Sequence, residues 1–226
     1  MLVRWRGATS LALLLVALLV APGCRDSEKP DEAPGSTEVQ LDTPDGRTSG
    51  FVYGAMSTRG IVLVADDANT RDWSALAGEL GRIGYQVLVL PRPARDGGAA
   101  ARAAADQLTR QGVQQVVFVG SGSGATAALE AAAGGARGVG ILNPDGNDPV
   151  IPAGGLPPVA LLAMASLGDG ASSAAAQEIY GAAREPRTLA LYPSSETVPA
   201  AFAGESNELK TAFLDFLRLA FQPLAA

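Results

Sequence analysis

The chain alternates short, largely apolar runs, such as the wholly apolar 60–65, with longer stretches in which apolar residues recur every three or four positions. Runs of the first kind are typical of parallel strands buried on both faces, and stretches of the second kind are typical of amphipathic helices. Six runs predict strands, at 60–65, 86–90, 115–119, 138–142, 159–165 and 187–192. Helices are predicted between most of these strands, so the fold class is α/β with a single doubly wound, mostly parallel sheet.

The predicted helices occupy particular stretches between and after these strands. Trp73, Leu76, Leu80 and Ile83 share one helical face, and further helices are predicted at 98–111, from the glycine loop to about 133, and at 172–183. The last helix carries an apolar face made of Leu209, Ala212, Phe213, Phe216, Leu217 and Ala220. At the other end of the domain, the turn signal Pro44-Asp45-Gly46 separates two predicted strands, which therefore form an antiparallel hairpin.

The first 24 residues have the pattern of an export signal. Arg4 and Arg6 precede an apolar run at 11–21, which is too short to span a bilayer as a helix, since that takes about 20 residues. The run ends just before Cys24, the only cysteine of the chain. "LVAPGC" resembles the lipobox of bacterial lipoproteins, which implies removal of residues 1–23, lipidation of Cys24 and anchoring to the cell envelope. Ordinary signal cleavage, or a buried free thiol, is the alternative interpretation.

Residues 24–36 are polar, charged and proline-containing, which predicts a flexible tether, and residues 37–226 suffice for one domain. The resemblance to lipoproteins also implies that Arg25, following the cysteine, favours the outer membrane if the envelope is Gram-negative. Removing residues 1–23 takes away two of 17 basic residues, so the net charge changes from −6 to −8, with 15 basic against 23 acidic residues. This acidic balance argues against nucleic acid and anionic lipid as partners.

The stretch "VVFVGSGSGATAALEAAAGG" at 116–135 predicts a strand, a sharp turn and a helix, which is the context of a nucleophile elbow. Together with the order of elements, it resembles the α/β-hydrolase fold over residues 37–222, in a minimal form without a lid. The resemblance implies a nucleophile position at Gly122, an acid position at Asp169, and a base position at Glu196 or Thr197.

The residues at these positions depart from the hydrolase pattern. Gly122 has no side chain to attack a substrate, and the whole chain contains no histidine. A serine hydroxyl needs a neighbouring base near neutral pH, and a carboxylate such as Glu196, with an ordinary pKa of about 4.3, is poorly matched to that task. Asp66 and Asp67 stand where related enzymes supply an oxyanion amide, and their charge would oppose an oxyanion. The sequence therefore predicts a domain without its catalytic triad.

The glycine loop supports rival interpretations. Ser121 and Ser123 lie one residue from the apex, and an esterase with an unconventional site would use one of them, although a helix cap or a small loop residue is the commoner role. Gly120, Gly122 and Ala125 also fit G-x-G-x-x-A, with Asn143 or Asp145 about 20 residues further on, as in dinucleotide sites. The glycines also suit a tight turn with close helix packing.

A ligand at this loop would meet the candidate binding residues Asp66, Asp67, Gly120, Gly122, Ser123 and Gly124. Asp66, Asp67 and Asn69 offer oxygen ligands for a hard cation, but such clusters are more often solvated loops. No metal or cofactor is predicted. The function predicted from the sequence is an envelope lipoprotein with a catalytically inactive α/β-hydrolase-like domain that binds an unidentified ligand or envelope protein.

Overall fold

The computed structural model describes residues 35–65, 70–91, 96–145, 155–193 and 207–222 of the chain. The predicted signal peptide and most of the tether lie outside these residues. The described strands are β1 Thr37–Thr43, β2 Gly46–Tyr53, β3 Arg59–Val64, β4 Gln86–Leu90, β5 Gln115–Gly122, β6 Gly138–Pro144, β7 Ala160–Ser166 and β8 Arg187–Tyr192. The described helices are α1 Thr70–Arg82, α2 Gly97–Arg110, α3 Gly124–Ala132, α4 Gly170–Ala182 and α5 Asn207–Ala220. None of these helices is long and apolar enough to cross a membrane.

The eight strands form one sheet in the order β1-β2-β4-β3-β5-β6-β7-β8. β1 pairs with β2 as an antiparallel hairpin, and β2 is antiparallel to β4. Every other neighbouring pair is parallel. This confirms the predicted α/β fold with a single, mostly parallel sheet and an N-terminal hairpin.

Helices cover both faces of the sheet. Side chains of α2, α3 and α4 pack with one set of alternating strand residues, including Val62 and Leu88. Side chains of α1 and α5 pack with the opposite set, including Ile61 and Val87. Because both faces of the inner strands are covered, strands such as β4 are buried along their whole length, and this explains why apolar residues dominate their sequences.

Parallel pairing gives the sheet two unlike edges. The strands β3 to β8 all end at one edge, here called the carboxyl edge, and all begin at the other, here called the amino edge. Helices α1, α2, α3 and α4 each return the chain to the start of a strand, so they end at the amino edge. The domain also begins there, because Thr37 pairs with Val52 and the neighbouring Tyr53 pairs with Val87, near the start of β4.

Most element boundaries differ from the sequence prediction by one or two residues, and two differences bear on the packing. β5 continues past residue 119 to Gly122, because the glycines still pair with β6. Ile83 does not belong to the buried face of α1, since the helix ends at Arg82 and Ile83 is 49% exposed. The reason is the reversal that follows: Gly84 has φ +97°, and the N–H of Tyr85 donates to the carbonyl of Leu80 at 3.1 Å, which closes the helix end.

Replacing Leu80 and Ile83 separately by alanine tests this boundary. Leu80→Ala removes a side chain that is 1% exposed and should lower the free energy of unfolding by about 2–5 kcal/mol. Ile83→Ala is the matched control. It should change the free energy of unfolding by less than about 0.5 kcal/mol, because the exposed Ile83 side chain makes few contacts with the core. Urea denaturation followed by circular dichroism measures both. Equal losses in the two variants would show that Ile83 packs in the core after all.

Candidate functional site

The turn between β5 and α3 has the geometry of a nucleophile elbow. Gly122 is the last residue of β5, Gly124 is the first of α3, and only Ser123 separates them. Gly122 has φ +53°, in the left-handed region that glycine adopts without steric cost. The strand therefore reverses sharply into the helix, as at an elbow. The residue at its apex, however, offers only a hydrogen atom to a ligand.

The two flanking glycines allow the helix to approach the sheet closely. A Cβ atom on Gly120 would stand well inside contact distance of the carbonyl oxygen of Gly124, and a Cβ atom on Gly124 would collide with the carbonyl oxygen of Val64. Both glycines are buried. Helix packing thus accounts for Gly120 and Gly124, as the structural interpretation of the glycine loop expected.

The two candidate serines lie in different surroundings. Ser121 is buried and pairs with Leu142 of β6, so it belongs to the sheet. Ser123 is half-buried at the position before α3, with φ −63° and ψ −22°. Its hydroxyl makes no capping hydrogen bond, because its backbone is already helical instead of extended. The helix-capping role considered for Ser123 is therefore not found.

Asp169, the residue at the hydrolase acid position, is used as a helix cap. Its carboxylate accepts hydrogen bonds from the backbone N–H groups of Ala171 at 3.2 Å and Ser172 at 3.1 Å, and from the Ser172 hydroxyl at 2.6 Å. The hydroxyl of Ser172, with the backbone N–H groups, lowers the pKa of Asp169 against the opposing effect of burial. The carboxylate of Asp169 therefore makes its described hydrogen bonds to the first turn of α4.

A buried polar cluster joins the carboxyl ends of three strands. Asn143 of β6 has φ +43°, a strained backbone for a residue other than glycine, and is 7% exposed. Its Oδ1 atom accepts hydrogen bonds from the backbone N–H of Ser166 at 3.1 Å and from the Tyr192 hydroxyl at 3.2 Å. The Ser166 hydroxyl in turn accepts from the N–H of Gly168 at 3.1 Å.

This Asn143 cluster lies beside the elbow. Ser121 pairs with Leu142 and Gly122 pairs with Pro144, so Asn143 is the extra residue of a bulge opposite the apex. Sequence reasoning considered Asn143 only as a partner for a dinucleotide and missed Ser166 and Tyr192. The available signal was a polar residue at the end of each apolar strand, where the carboxyl edge of a parallel sheet begins.

The charges described at the carboxyl edge are mainly negative. Exposed carboxylates occur in the hairpin turn, at two helix caps, after β6 and in the first turn of α5: these are Asp45, Asp96, Asp169, Asp145 and Glu208. Within the described ranges, no group of three or more histidine, cysteine, aspartate or glutamate side chains could hold a metal ion. Asp66, Asp67, Glu196 and Cys24 lie outside the described residues, so their predicted roles stay predictions.

No protein-family model matches the chain, and no curated protein matches it by sequence. Solved structures do match. A serine hydrolase without a lid from Xanthomonas campestris aligns over 88% of this chain and 100% of its own, with a TM-score of 0.62 and 17% identity. A dienelactone hydrolase from Anabaena variabilis aligns over 80% and 94%, with a TM-score of 0.60 and 17% identity.

An esterase domain from Rhodothermus marinus aligns over 79% of this chain and 98% of its own, with a TM-score of 0.59 and 18% identity. At such identities the likeness shows the fold alone. The described connections between strands and helices contain no inserted lid. The domain therefore has the α/β-hydrolase fold.

Substituting one glycine of the elbow tests whether it is kept for packing. Gly120→Ala should destabilise the domain by about 1–3 kcal/mol or more, because the new methyl group has no space against Gly124. Gly78→Ala is the control: it lies inside α1 with open space around it and should stabilise by about 0.5–1 kcal/mol. Thermal unfolding of both variants measures the contrast. A neutral Gly120→Ala would remove the packing explanation.

Because the pKa of Asp169 is lowered in the folded state, the free energy of unfolding should depend on pH. Asp169→Ala should cost about 1 kcal/mol at neutral pH through loss of the cap. Because the pKa of Asp169 is lowered by folding, its ionised form stabilises the native state above the unfolded pKa of about 3.9, and this contribution disappears as pH falls through the lower folded value. Asp169→Asn keeps an acceptor at the cap but cannot titrate. Denaturation from pH 7 to pH 3 should show the wild-type advantage over Asp169→Ala shrinking at acid pH. A constant difference would contradict the cap.

Proposed function

We propose that this chain is an envelope lipoprotein whose α/β-hydrolase-fold domain binds a ligand or an envelope protein at its carboxyl edge and does not hydrolyse esters. The observation that carries the proposal is the elbow itself. Its apex is Gly122, with φ +53° and no side chain, in a chain of 226 residues without a histidine. The shape of a nucleophile turn is present without a nucleophile or the usual base.

The neighbouring serines do not replace the missing chemistry. Acyl transfer needs a hydroxyl that is both accessible and hydrogen-bonded to a proton acceptor. Ser121 is buried in the sheet, and Ser123 is half-buried. Neither hydroxyl donates to a carboxylate in the described part of the chain, and the carboxylate of Asp169 is occupied by α4. These facts support a loss of activity.

The Asn143 cluster supports a binding role. Its Oδ1 atom already accepts two hydrogen bonds, so the groups left for a ligand are the two N–H donors of the amide. A ligand that offers a carbonyl or hydroxyl oxygen would complement them. The carboxylates around this edge oppose an anionic ligand, so a neutral, oxygen-bearing molecule fits the site best.

The second candidate function is an esterase with an unconventional site. The esterase and hydrolase names of the structural neighbours favour it, and Ser123 is the more accessible of the two hydroxyls beside the apex. Nucleotide binding at 120–125 is the third candidate. It is less favoured because backbone atoms fill the space next to Gly120 and Gly124, and flavin or nicotinamide absorbance in the purified protein would reveal it.

The lipoprotein part of the proposal rests on the sequence of residues 1–36. It assigns lipidation to Cys24 after removal of residues 1–23, and places the domain on the cell envelope, at the outer membrane if that envelope is Gram-negative. Nucleic acid is not expected as a partner of so acidic a chain.

An activity assay separates these functions. The full chain, produced in a host without its major esterases, should neither hydrolyse short-chain nitrophenyl esters above the buffer rate nor react with a fluorophosphonate probe. Ser121→Ala and Ser123→Ala are assayed beside it, with circular dichroism to show folding. Turnover and labelling that disappear in Ser123→Ala alone would identify an esterase and overturn the binding proposal.

A thermal-shift screen of neutral esters, amides and alcohols tests the binding role directly. Any compound that raises the melting temperature should do so through the Asn143 amide, and its effect should be lost in Asn143→Gly. Glycine suits the positive φ at this position, so the variant removes the amide without adding backbone strain. Binding that survives in Asn143→Gly would place the site elsewhere.

A further inference from the structure

The amino edge of the sheet exposes apolar side chains next to one another. Met56, in the connection from β2 to β3, is 80% exposed, and Ile83, just after α1, is 49% exposed. The two connections touch: the Ser57 hydroxyl donates to the carbonyl of Gly84 at 2.9 Å, and the backbones of Gly54 and Gly81 pack directly together. Met56 and Ile83 therefore belong to one surface.

Two arginines border this surface. Arg59 is the first residue of β3 and lies over the ring of Tyr85 at 4.9 Å, and Arg82 is the last residue of α1. Both side chains are exposed, and neither forms an ion pair with a described residue. The surface formed by Met56, Arg59, Arg82 and Ile83 is called the amino-edge patch below. It is apolar and cationic at once.

The wider charge distribution separates the two edges. α2 and α5 also carry an arginine in their last turns, at Arg110 and Arg218, although Arg218 pairs with Asp215. Acids on the same side include Glu130 near the end of α3 and Glu185 before β8, and Glu185 pairs with Arg187. The opposite edge carries the exposed carboxylates described above. Among the described residues, Arg59 and Arg82 thus lie at the edge opposite to Asp45, Asp96, Asp145, Asp169 and Glu208.

The polypeptide also leaves the domain at this edge. Thr37 begins β1 there, and Cys24, the predicted acylation site, lies 13 positions earlier in the sequence. The segment between these two residues can span at most about 45 Å even when fully extended. A lipid-anchored domain would therefore be held near the bilayer by the same edge that exposes Met56 and Ile83.

We propose that the amino-edge patch lies against the lipid surface to which the chain is anchored, with Met56 and Ile83 among the headgroups and Arg59 and Arg82 beside anionic phosphates. This rests on the lipoprotein part of the proposed function. Apolar side chains bordered by basic ones are typical of surfaces that bind the membrane interface. The negative overall charge does not exclude this orientation, because the carboxylates grouped at the carboxyl edge lie on the opposite side and neither Arg59 nor Arg82 is ion-paired with a described residue. The carboxyl edge and its Asn143 cluster then face the aqueous compartment, where a soluble ligand can reach them.

Fluorescence quenching in vesicles tests the orientation. The full acylated chain is reconstituted in vesicles of phosphatidylethanolamine and phosphatidylglycerol that contain nitroxide-labelled lipid. Acylation blocks the thiol of Cys24, so Met56→Cys provides a single site for an environment-sensitive dye. Leu167→Cys is the matched control, because Leu167 is an apolar side chain, 54% exposed, that follows β7 at the carboxyl edge. Quenching at position 56 should exceed that at 167 by about twofold or more, as expected for a label within the interface. Equal quenching at both positions, or stronger quenching at 167, would overturn the proposal.

Charge reversal tests the basic side chains without removing the anchor. In the Met56→Cys chain, Arg59→Glu together with Arg82→Glu should reduce quenching to the level of the Leu167→Cys control, and unchanged quenching would overturn the role of the two arginines. Detergent phase partition separates failure of this proposal from failure of the lipoprotein assignment. If the full chain enters the aqueous phase as completely as Cys24→Ser does, the lipid anchor itself is wrong. If it enters the detergent phase but shows equal quenching at both positions, only the orientation is wrong.

Discussion

The close approach of α3 to β3 and β5 is the contact on which the centre of this fold depends. It requires two residues without side chains, Gly120 and Gly124, because each lies against a backbone carbonyl group. Once the helix lies this close, the connection has room for only Ser123 between strand and helix, and Gly122 must adopt a positive φ. The sharp turn is thus a packing requirement of the fold as well as a catalytic device in enzymes that use it.

That distinction explains how the elbow shape can persist with glycine at its apex. Two flanking glycines maintain helix packing whatever residue occupies the apex. At the apex itself, glycine meets the conformational demand more easily than serine would, since it carries no strain at positive φ. The hydrolase acid position also has a structural role. Asp169 stabilises the start of α4 through three hydrogen bonds, and this role does not require a neighbouring histidine.

The direction of the parallel strands also determines where the charged residues at helix ends lie. Helices that return the chain to the start of a parallel strand all point the same way, so their N-termini meet at the carboxyl edge and their C-termini at the amino edge. Helix ends favour opposite charges. Asp96 and Asp169 therefore cap helices at one edge, while Arg82 and Arg110 end helices at the other. A chain that is acidic as a whole consequently exposes the basic side chains of Arg59 and Arg82 at one edge, which net charge alone does not indicate.

The sequence by itself determined the fold class, the order of strands and helices, and the absence of histidine. The runs at 86–90 and 187–192 predicted β4 and β8 to the residue, because apolar residues dominate both strands. Tertiary structure alone decided what depends on three-dimensional neighbours. Ile83 is exposed because α1 ends before it, and Asp169 caps α4. Asn143, Ser166 and Tyr192 lie on three separate strands and form hydrogen bonds only because the sheet places these strands side by side. Sequence periodicity reports which face of an element is buried, but hydrogen bonds between distant strands depend on their register and order in the sheet, and those follow from packing of the whole domain.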